Sequence, residues 1–351
     1  MTYAPPDDGT ASRRPIRVKF YGTYNPHAWI RQFPGQVPAW GNCRFLLDTD
    51  AAGFDWLVVY NDLPRTHPEE IFSLPRDRSI LVTTEPSAIK VYGRAFTNQF
   101  GHVLTSQEPW ALPHRNRIYS QPALQWYYGL GREHLLSYDQ LAASVPHDKP
   151  RLLSTVCSSK RQRHTLHNRR YEFTQELKKR IPELEIYGHG VREMDDKAEA
   201  IEPYKYHLAI ENHIAPHHWT EKLSDVFLGA ALPFYCGCPN AAEYFPAESF
   251  IAVDIDDVAG AAAIIEKAIR DNEYEKRLPA VLEARRRVLE EYNIFAVLSR
   301  EIERRHDADA PPLPPVRISS RRRLRMLNPH IALRQLLEKL QSRLQNRAAR
   351  R

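Results

Sequence analysis

The chain has 351 residues, which is long enough for two domains with separate hydrophobic cores. Its composition, 42% hydrophobic and 26% charged, excludes a chain that is disordered throughout, and without an apolar run of eighteen residues we expect neither a signal peptide nor a transmembrane helix. Residues 317–351 hold eleven Lys and Arg and one acid, and the remainder holds 38 against 42, so the net charge of +6 comes from the C-terminal end.

The first part of the chain predicts alternating strands and helices. Residues 1–14 are polar and contain Pro and Gly, which indicates a flexible arm. Short apolar runs between turn residues then predict strands at 16–22, 43–47, 56–60, 80–84 and 103–104. This alternation favours an N-terminal α/β domain with a mainly parallel sheet over residues 15–140.

A second strand and helix series follows a polar, Pro-containing boundary segment at 130–149. Strands are predicted at 151–156, 184–187, 206–210, 232–235 and 250–253, and helices at 169–179, 220–230, 256–270 and 273–305. We therefore expect a second domain over residues 150–309. Two α/β halves of this size favour an α/β protein with two Rossmann-like domains that face a cleft.

The C-terminal end has its own pattern. Residues 310–316 form a Pro-rich spacer, and residues 317–351 predict a basic amphipathic helix as a C-terminal tail. Its alternatives are an oligomerising helix or a disordered basic end; nucleic-acid binding is disfavoured because no aromatic residues are interleaved. The favoured interpretation is a helix that lies on anionic lipid. Its apolar face comprises Leu324, Leu327, Ile331, Leu337, Leu340 and Leu344.

One strand and the helix after it predict an anion site. An apolar strand ends in Glu211 and Asn212, and Thr220 is a suitable N-cap for the following helix. Lys222 then falls in the first turn, where the helix dipole disfavours a cation by a few tenths of a kcal/mol. A bound anion would make the position favourable for Lys222. The alternative is a solvated Lys that tolerates the small cost. α/β proteins commonly hold anionic nucleotides at such junctions.

The residues from 206 to 254 resemble the donor-binding signature of glycosyltransferase family 10, the α-1,3/4-fucosyltransferases. The matching parts are Glu211-Asn212, Thr220-Glu221-Lys222 and the segment 240–254, in the family's order and spacing. The resemblance, to the bacterial type, implies the GT-B fold with the nucleotide in the second domain. It also implies an inverting glycosyltransferase that transfers fucose from GDP-fucose to a saccharide hydroxyl, with an α-1,3-type linkage, in surface glycan synthesis.

The resemblance also implies roles for the donor-side residues. Sugar transfer needs cations or helix N-termini that stabilise the departing diphosphate. Lys222 and Arg170 are expected to bind that diphosphate, although Arg169 is adjacent and the register could differ by one residue. Asn212 and Glu221 are expected to contact the sugar or the ribose, and Thr220 belongs to the same donor-binding motif.

Two carboxylates are the catalytic candidates. Residues 80–87 resemble the family's strand that ends in Glu-Ser-Pro, so Glu85 is expected to remove the proton of the acceptor hydroxyl. The alternative is a Glu that simply precedes a turn. Glu211 is expected to face the reacting region, and its alternative is a strand-end carboxylate bonded to backbone amides.

Three departures from the family pattern leave the donor open. The aromatic residue before Glu-Asn is Ile210 here, the Tyr four positions before the Lys is His218, and the Val is Trp219. The Tyr position is expected to touch the donor base or sugar, so another GDP- or UDP-sugar is the alternative. We expect His217 and His218 to contact the diphosphate. A non-catalytic glycan-binding or membrane-scaffold protein is the remaining hypothesis.

We expect no required cofactor and no dedicated metal site; a divalent cation would at most stimulate transfer. Residues 254–256 resemble a DxD metal motif, but their place before a helix favours capping. The four cysteines are few and irregularly spaced, which suits a reducing compartment. The expected partners are a nucleotide-sugar donor, a saccharide or glycolipid acceptor and an anionic membrane surface, and not nucleic acid. The expected location is the cytoplasm, at the inner face of the cytoplasmic membrane, with the oligomeric state open.

Overall fold

The computed structural model describes most of the chain. The described residues are 14–22, 26–121, 124–132, 134–158, 166–309 and 314–348. Most of the predicted N-terminal arm, part of the Pro-rich spacer and the segment 159–165 therefore lie outside the described residues.

Strands and helices alternate along the described residues. The strands are β1 (Ile16–Tyr21), β2 (Ala39–Trp40), β3 (Cys43–Leu46), β4 (Trp56–Tyr60), β5 (Glu69–Phe72), β6 (Ser79–Val82), β7 (His102–Thr105), β8 (Arg117–Tyr119), β9 (Arg151–Val156), β10 (Leu184–Tyr187), β11 (Tyr204–Ile210), β12 (Leu232–Cys236), β13 (Ile251–Ala252) and β14 (Val316–Ser319). The helices are α1 (Pro26–Ile30), α2 (Arg94–Thr97), α3 (Tyr138–Ala143), α4 (His167–Arg180), α5 (Ala198–Ile201), α6 (Glu221–Leu228), α7 (Val258–Arg270), α8 (Glu273–Glu290), α9 (Ile294–Glu303), α10 (Arg321–Leu327) and α11 (Pro329–Ala348).

Two separate sheets form the centres of two domains. The first has the strand order β2-β3-β1-β4-β6-β7-β8, and its pairs are parallel except for β2 with β3. The second has the order β10-β9-β11-β12-β13 and is parallel throughout. Central strands are covered on both faces, which explains why they appear as continuous apolar runs. The predicted GT-B arrangement of two Rossmann-like domains is confirmed.

Packing crosses the predicted domain ranges in two places. Helix α9, predicted to lie in the second domain, contributes Phe295 and Leu298 to the core of the first sheet. Trp126 and Leu141, predicted to lie in the first domain or at its boundary, belong to the core of the second. The chain therefore passes between the two domains twice within the described residues.

The C-terminal residues pack on the first domain. Strand β14 pairs antiparallel with β5, and Ile318 is fully buried in the core beside the first sheet. Leu324 of α10 packs against the same core. A long-range strand pair and a buried side chain therefore attach the start of the predicted tail to the body.

Helix α11 docks through its polar face. Gln335 Nε2 donates to the carbonyl oxygen of Tyr92 at 3.4 Å, and Ser342 Oγ donates to that of Ser87 at 3.2 Å. Asn346 is also buried and accepts from Ser87 Oγ at 3.4 Å. The opposite, apolar face is left at the surface. Its exposed side chains are Leu333, Leu336, Leu337, Leu340 and Leu344.

No helix among the described residues has both the length and the apolar character needed to cross a membrane. The exposed leucines of α11 form a stripe on the surface of this helix.

Candidate active site

The candidate site is a cleft at the carboxyl ends of strands from both sheets. Asn61 follows β4, and Glu85 lies three residues after β6. Asn212 follows β11 in the second sheet, and all three residues line one cleft of about 310 Å³. Ligands of open α/β sheets bind at this edge.

Most of the predicted site residues meet in this cleft. Six of the eight line it, and these are Glu85, Asn212, His218, Thr220, Glu221 and Lys222. Glu211 lies beneath the surface with no exposed area, and Arg170 does not line the cleft. The two exceptions are described separately below.

Glu211 holds the loop that precedes α6. Its Oε1 accepts from the backbone N of Thr220 at 2.8 Å, and its Oε2 accepts from Thr220 Oγ at 2.7 Å. Because both carboxylate oxygens are used and no part is exposed, Glu211 positions the helix start and does not face the reacting atoms. This geometry favours the alternative interpretation of Glu211, a strand-end carboxylate bonded to a backbone amide, over a place at the reacting region. Burial raises its pKa, although Lys222 opposes the effect.

Gly237 lies between Cys236 and Cys238 at the end of β12 and packs against Glu211. A Cβ atom at this position would lie 2.4 Å from Glu211 Cγ and 2.5 Å from Tyr235 Oη. Both contacts are impossible without displacement, so only glycine permits Glu211 to lie at this depth. Cys236 and Cys238 are free thiols. No cluster of three or more metal-ligating side chains occurs in the part of the chain that the structure describes.

Helix α6 begins as predicted and carries a compensated cation. The Thr220 side chain caps it by accepting from the backbone N of Lys222 at 3.3 Å. Lys222 Nζ lies 2.8 Å from Glu221 Oε1 and 3.8 Å from Glu211 Oε2. The helix dipole disfavours a cation at this position, but the carboxylates of Glu221 and Glu211 offset that effect.

A second ion pair supports the first. Lys197 Nζ lies 2.8 Å from Asp225 Oδ2 and 3.9 Å from Glu221 Oε1. Burial alone would raise the pKa of Glu221, but Lys222 and Lys197 outweigh it and hold that pKa well below its ordinary value. Glu221 is therefore an ionised acceptor at the cleft wall, suited to the hydroxyl groups of a sugar.

Glu85 faces this network from the first domain. Burial raises the pKa of its carboxyl group above the ordinary value, and Glu221 acts in the same direction, while Lys222 and Lys90 oppose them. These interactions place Glu85 within electrostatic reach of Lys222 across the cleft. A carboxylate with a raised pKa is a stronger proton acceptor, as general base catalysis requires.

The loop of residues 84–93 that carries Glu85 is held on several sides. Gln107 Nε2 donates to the carbonyl oxygens of Glu85 at 2.7 Å and of Lys90 at 2.9 Å. Tyr92 Oη accepts from the backbone N of Thr84 at 2.8 Å and donates to Asn61 Oδ1 at 3.1 Å. Polar side chains of α11 bind the same loop, so the C-terminal helix helps to position the candidate base.

Asn61 and Lys90 form a polar pair at the cleft. Asn61 has φ of 76°, a left-handed conformation that Asn adopts more readily than most residues other than glycine. Its Oδ1 accepts from Lys90 Nζ. Burial and Arg321 lower the pKa of Lys90 to about 8, although Asp62 and Glu85 act against them.

His218 contacts the other domain. Its Nδ1 lies 2.9 Å from Ser106 Oγ, and its buried Nε2 has no hydrogen-bond partner within the described residues. Burial, with His213 and Lys222, lowers the pKa of His218 to about 3, so the ring is neutral at pH 7. A neutral imidazole cannot offset diphosphate charge, but its Nε2 can hydrogen-bond to a ligand.

The histidine loop also joins the domains at two further points. His213 Nε2 lies 2.8 Å from Glu108 Oε1, and the ring of His217 packs edge-on against Tyr119 with centroids 4.6 Å apart. His217 has φ of 63° and is a second residue near the cleft with a positive φ. These contacts hold the loop before α6 against the first domain.

The two arginines of α4 have different surroundings. Arg169 forms an ion pair with Asp256. Arg170 is buried, donates weakly to the carbonyl oxygen of Val156 at 3.4 Å, and has a buried Nε without a hydrogen-bond partner in the described part of the chain. This unused donor makes Arg170 the better diphosphate candidate of the pair, although it lies outside the cleft lining.

Residues 146–276 match the family model described as the C-terminal domain of glycosyltransferase family 10 (fucosyltransferase). This segment is a glycosyltransferase family 10 domain. It contains the strand, cap and helix around Glu211 and Lys222, and it confirms the resemblance on which the prediction of a glycosyltransferase depended. The family 10 domain spans somewhat more than a third of the chain.

Solved structures with a similar fold include three glycosyltransferases. An α1,3-fucosyltransferase is 16% identical with a TM-score of 0.48, covering 79% of this chain and 84% of that one. An α1,3-fucosyltransferase with GDP-fucose is 17% identical with a TM-score of 0.42, covering 89% and 96%. The pneumococcal O-GlcNAc transferase GtfA with UDP and GlcNAc is 14% identical with a TM-score of 0.42, covering 72% and 57%. At these values no residue role is carried across.

Sequence reasoning missed four residues of the cleft and its surroundings. Asn61, Lys90 and Ser106 come from the first domain, and Lys197 comes from a loop before α5. A strand followed at once by Asn was a usable signal for Asn61, since Asn tolerates the left-handed conformation. The other three act through contacts that are distant in sequence and have no local pattern.

Proposed function

We propose that the protein transfers fucose from GDP-fucose to a hydroxyl group of a saccharide acceptor, with inversion, forming an α-1,3-type linkage in a surface glycan. One observation carries the proposal: a single cleft holds Glu85 from the first domain and Lys222 from the second. A proton acceptor and a cation thus face each other across the space that a sugar would fill. The family 10 domain, whose description includes fucosyltransferase, supports the donor class.

The transfer is a single displacement in this arrangement. The acceptor oxygen attacks the anomeric carbon, Glu85 takes the hydroxyl proton, and the bond from that carbon to the diphosphate oxygen breaks. Positive charge develops on the sugar as in glycoside hydrolysis, and negative charge grows on the leaving diphosphate. Lys222 is the cation placed to meet that charge, and Arg170 is the second candidate.

The donor would find unused hydrogen-bonding groups in the cleft. Asn212 Oδ1 and His218 Nε2 have no hydrogen-bond partners within the described residues, and both residues line the cleft. Such atoms are costly to leave unpaired, so ligand groups that bind them gain free energy. We assign Asn212 and Glu221 to sugar or ribose hydroxyls. Lys222 would exchange part of its contact with Glu221 for a diphosphate oxygen.

His218 supports one alternative donor. A neutral histidine in place of the family's Tyr offers a ring nitrogen near the donor, with a different reach and hydrogen-bonding pattern. A different GDP- or UDP-sugar is therefore the second candidate. A non-catalytic glycan-binding role is disfavoured, because the cleft retains a carboxylate, Glu85, opposite the donor-side residues.

Replacing Lys222 with Ala is expected to weaken GDP binding roughly 10- to 100-fold, because it removes a charge-assisted contact to a phosphate group. Thermal shifts across a panel of nucleotides and nucleotide sugars would measure this loss and identify the donor, since a ligand stabilises the native state by mass action. Turnover would be followed as GDP release from GDP-fucose with β-galactoside or N-acetylglucosamine acceptors.

The matched control is Lys267→Ala, an exposed lysine on α7 in the same domain. Lys222→Arg keeps the charge and is expected to regain part of the affinity. The unliganded melting temperature of each variant separates a folding defect from a binding defect. GDP affinity that is equal in wild type and in Lys222→Ala would contradict the proposed donor site. A shift with another sugar nucleotide and none with GDP-fucose would favour the alternative donor.

We also propose that the protein acts in the cytoplasm at an anionic membrane surface, through α11. The support is the outward leucine stripe together with the basic composition of residues 317–351. An apolar face flanked by Lys and Arg binds anionic lipid by apolar burial and charge attraction. The polar face of α11 remains on the body in this arrangement.

Replacing Leu337, Leu340 and Leu344 with Gln is expected to weaken vesicle binding at least about tenfold, because three apolar side chains leave the interface. Co-sedimentation with phosphatidylcholine–phosphatidylglycerol vesicles is the measurement. The control combines Leu135→Gln, Val191→Gln and Ile264→Gln, which are exposed apolar residues elsewhere on the surface. Unchanged vesicle binding with a loss of self-association would instead indicate an oligomerising helix.

A further inference from the structure

A second, larger groove opens beside the cleft. It lies between the segment 61–68 that follows β4 and helix α10, and its volume is about 830 Å³. Five arginines line it, against one acidic residue, Asp62. They are Arg65, Arg321, Arg322, Arg323 and Arg325. The charge of this groove has the opposite sign to that of the cleft lining, where Glu85 and Glu221 outnumber Lys222.

Two of the five arginines have no partner within the described residues. Arg321 is paired with Asp62 at 2.9 Å, Arg323 with Glu69 at 2.9 Å, and Arg325 donates to Gln335. Arg65 and Arg322 are exposed and have neither an ion pair nor a hydrogen bond to the described part of the chain. The groove therefore keeps an uncompensated positive charge, which suits an anion with several oxygens.

The groove adjoins the cleft on the side of the first domain. Asn61 lines both spaces, and Asp62, which binds Arg321, is its neighbour in sequence. Glu85, the proposed base, is in the same domain, whereas the proposed donor diphosphate site at Lys222 is in the other. A ligand in the groove would therefore extend from the acceptor and not from the donor.

One end of the groove is apolar. Met326 and Leu327 line it with 71% and 58% of their surfaces exposed, and they end the helix that precedes α11 and its exposed leucines. An anionic group followed by an apolar chain would meet arginines first and apolar side chains next. A free phosphorylated sugar would use only the first part.

We propose that this groove binds the phosphate or diphosphate of an acceptor whose saccharide is carried on a lipid. The inference rests on the proposed function and specifies its acceptor class. Arg65 and Arg322 hold the phosphate oxygens, Met326 and Leu327 contact the start of the lipid chain, and the saccharide passes Asn61 to reach Glu85. The phosphate linkage itself is not broken, because the transfer occurs at the sugar hydroxyl.

The test measures decyl diphosphate binding to the full chain by calorimetry, with GDP at saturation so that the donor site is occupied. Binding is expected in the wild type and is expected to fall roughly tenfold or more in Arg65→Ala/Arg322→Ala, because two charge-assisted contacts are lost. The matched control is Lys339→Ala/Arg343→Ala, which removes the same charge from exposed positions of α11 outside the groove. The control is expected to bind as the wild type does.

Three outcomes would overturn the proposal. Wild type that fails to bind decyl diphosphate is the first. Equal losses in the two double variants are the second, since they would indicate diffuse attraction to a basic surface. The third is a groove variant that loses binding to phosphatidylglycerol vesicles but not to decyl diphosphate, which would assign the groove to lipid headgroups. Neutral decyl glucoside should bind equally to the wild type and to the groove variant.

The same variants test the proposed donor site separately, through the thermal shift that GDP produces. Arg65→Ala/Arg322→Ala should keep the thermal shift produced by GDP alone, because neither residue lines the cleft. If GDP gives no shift with the wild type, the proposed donor fails, and decyl diphosphate binding without GDP still reports on the groove. Both substituted arginines are exposed and unpaired within the described residues, so the variant is expected to fold.

Discussion

Replacing Glu85 with Gln is expected to lower kcat by about 100- to 10,000-fold, the range that a positioned general base contributes. The change removes the proton acceptor and keeps the size of the side chain. GDP affinity should be preserved, because the proposed nucleotide contacts come from the second domain. Initial rates of GDP release at saturating acceptor, together with GDP thermal shifts, provide the two measurements.

The pH profile gives an independent check on Glu85. Its pKa is raised, so the carboxyl group stays protonated to a higher pH than a free Glu and activity falls as pH drops through that value. Lys90 opposes the shift, so Lys90→Gln should move the acid limb of kcat/KM to higher pH. If Glu85→Gln retains the acid limb and most of kcat, another group is the base.

Truncation after residue 315 is expected to lower both stability and turnover, even with a soluble acceptor. It removes Ile318 from the core, and burial of one such side chain contributes about 1.5–3 kcal/mol. It also removes β14 from β5 and the polar contacts of α11 with loop 84–93. Thermal unfolding and soluble-acceptor turnover are the measurements.

If the truncated chain does not fold, separate substitutions on the two faces of α11 test whether this helix positions the candidate base. Ser342→Val/Asn346→Leu removes the polar contacts with Ser87 and should lower turnover of a soluble acceptor. The leucine-to-glutamine variant of the outer face, proposed above for vesicle binding, should leave that turnover unchanged. Equal turnover in both variants would mean that α11 does not position the candidate base.

The strands and the donor-side helix could be predicted because their signals are local. Apolar runs between turn residues marked most of the strands, and Thr220 followed by a helical period placed the start of α6. Strand β5 was missed because two of its four residues are Glu and its partner, β14, lies far along the chain. The arrangement of the two domains followed from the alternation of elements.

The roles of individual side chains were harder to predict, because they depend on direction and on distant neighbours. Glu211 and Asn212 are adjacent, yet one turns inward to Thr220 and the other lines the cleft. Helical periodicity predicted an apolar and a polar face for α11, but it could not predict which face packs on the body. The polar face binds backbone carbonyl oxygens, which carry no sequence signature, and so the leucines remain outside.

The passage of α9 and β14 back to the first sheet affects the order in which the molecule can be completed. A nascent chain that ends near residue 290 already contains the second sheet, but it lacks Phe295, Leu298 and Ile318 of the cores beside the first sheet. The domain that leaves the ribosome first is thus the last to close, against the usual N-terminal-first order of folding during synthesis. Until then its apolar strands lack the side chains that complete their cover.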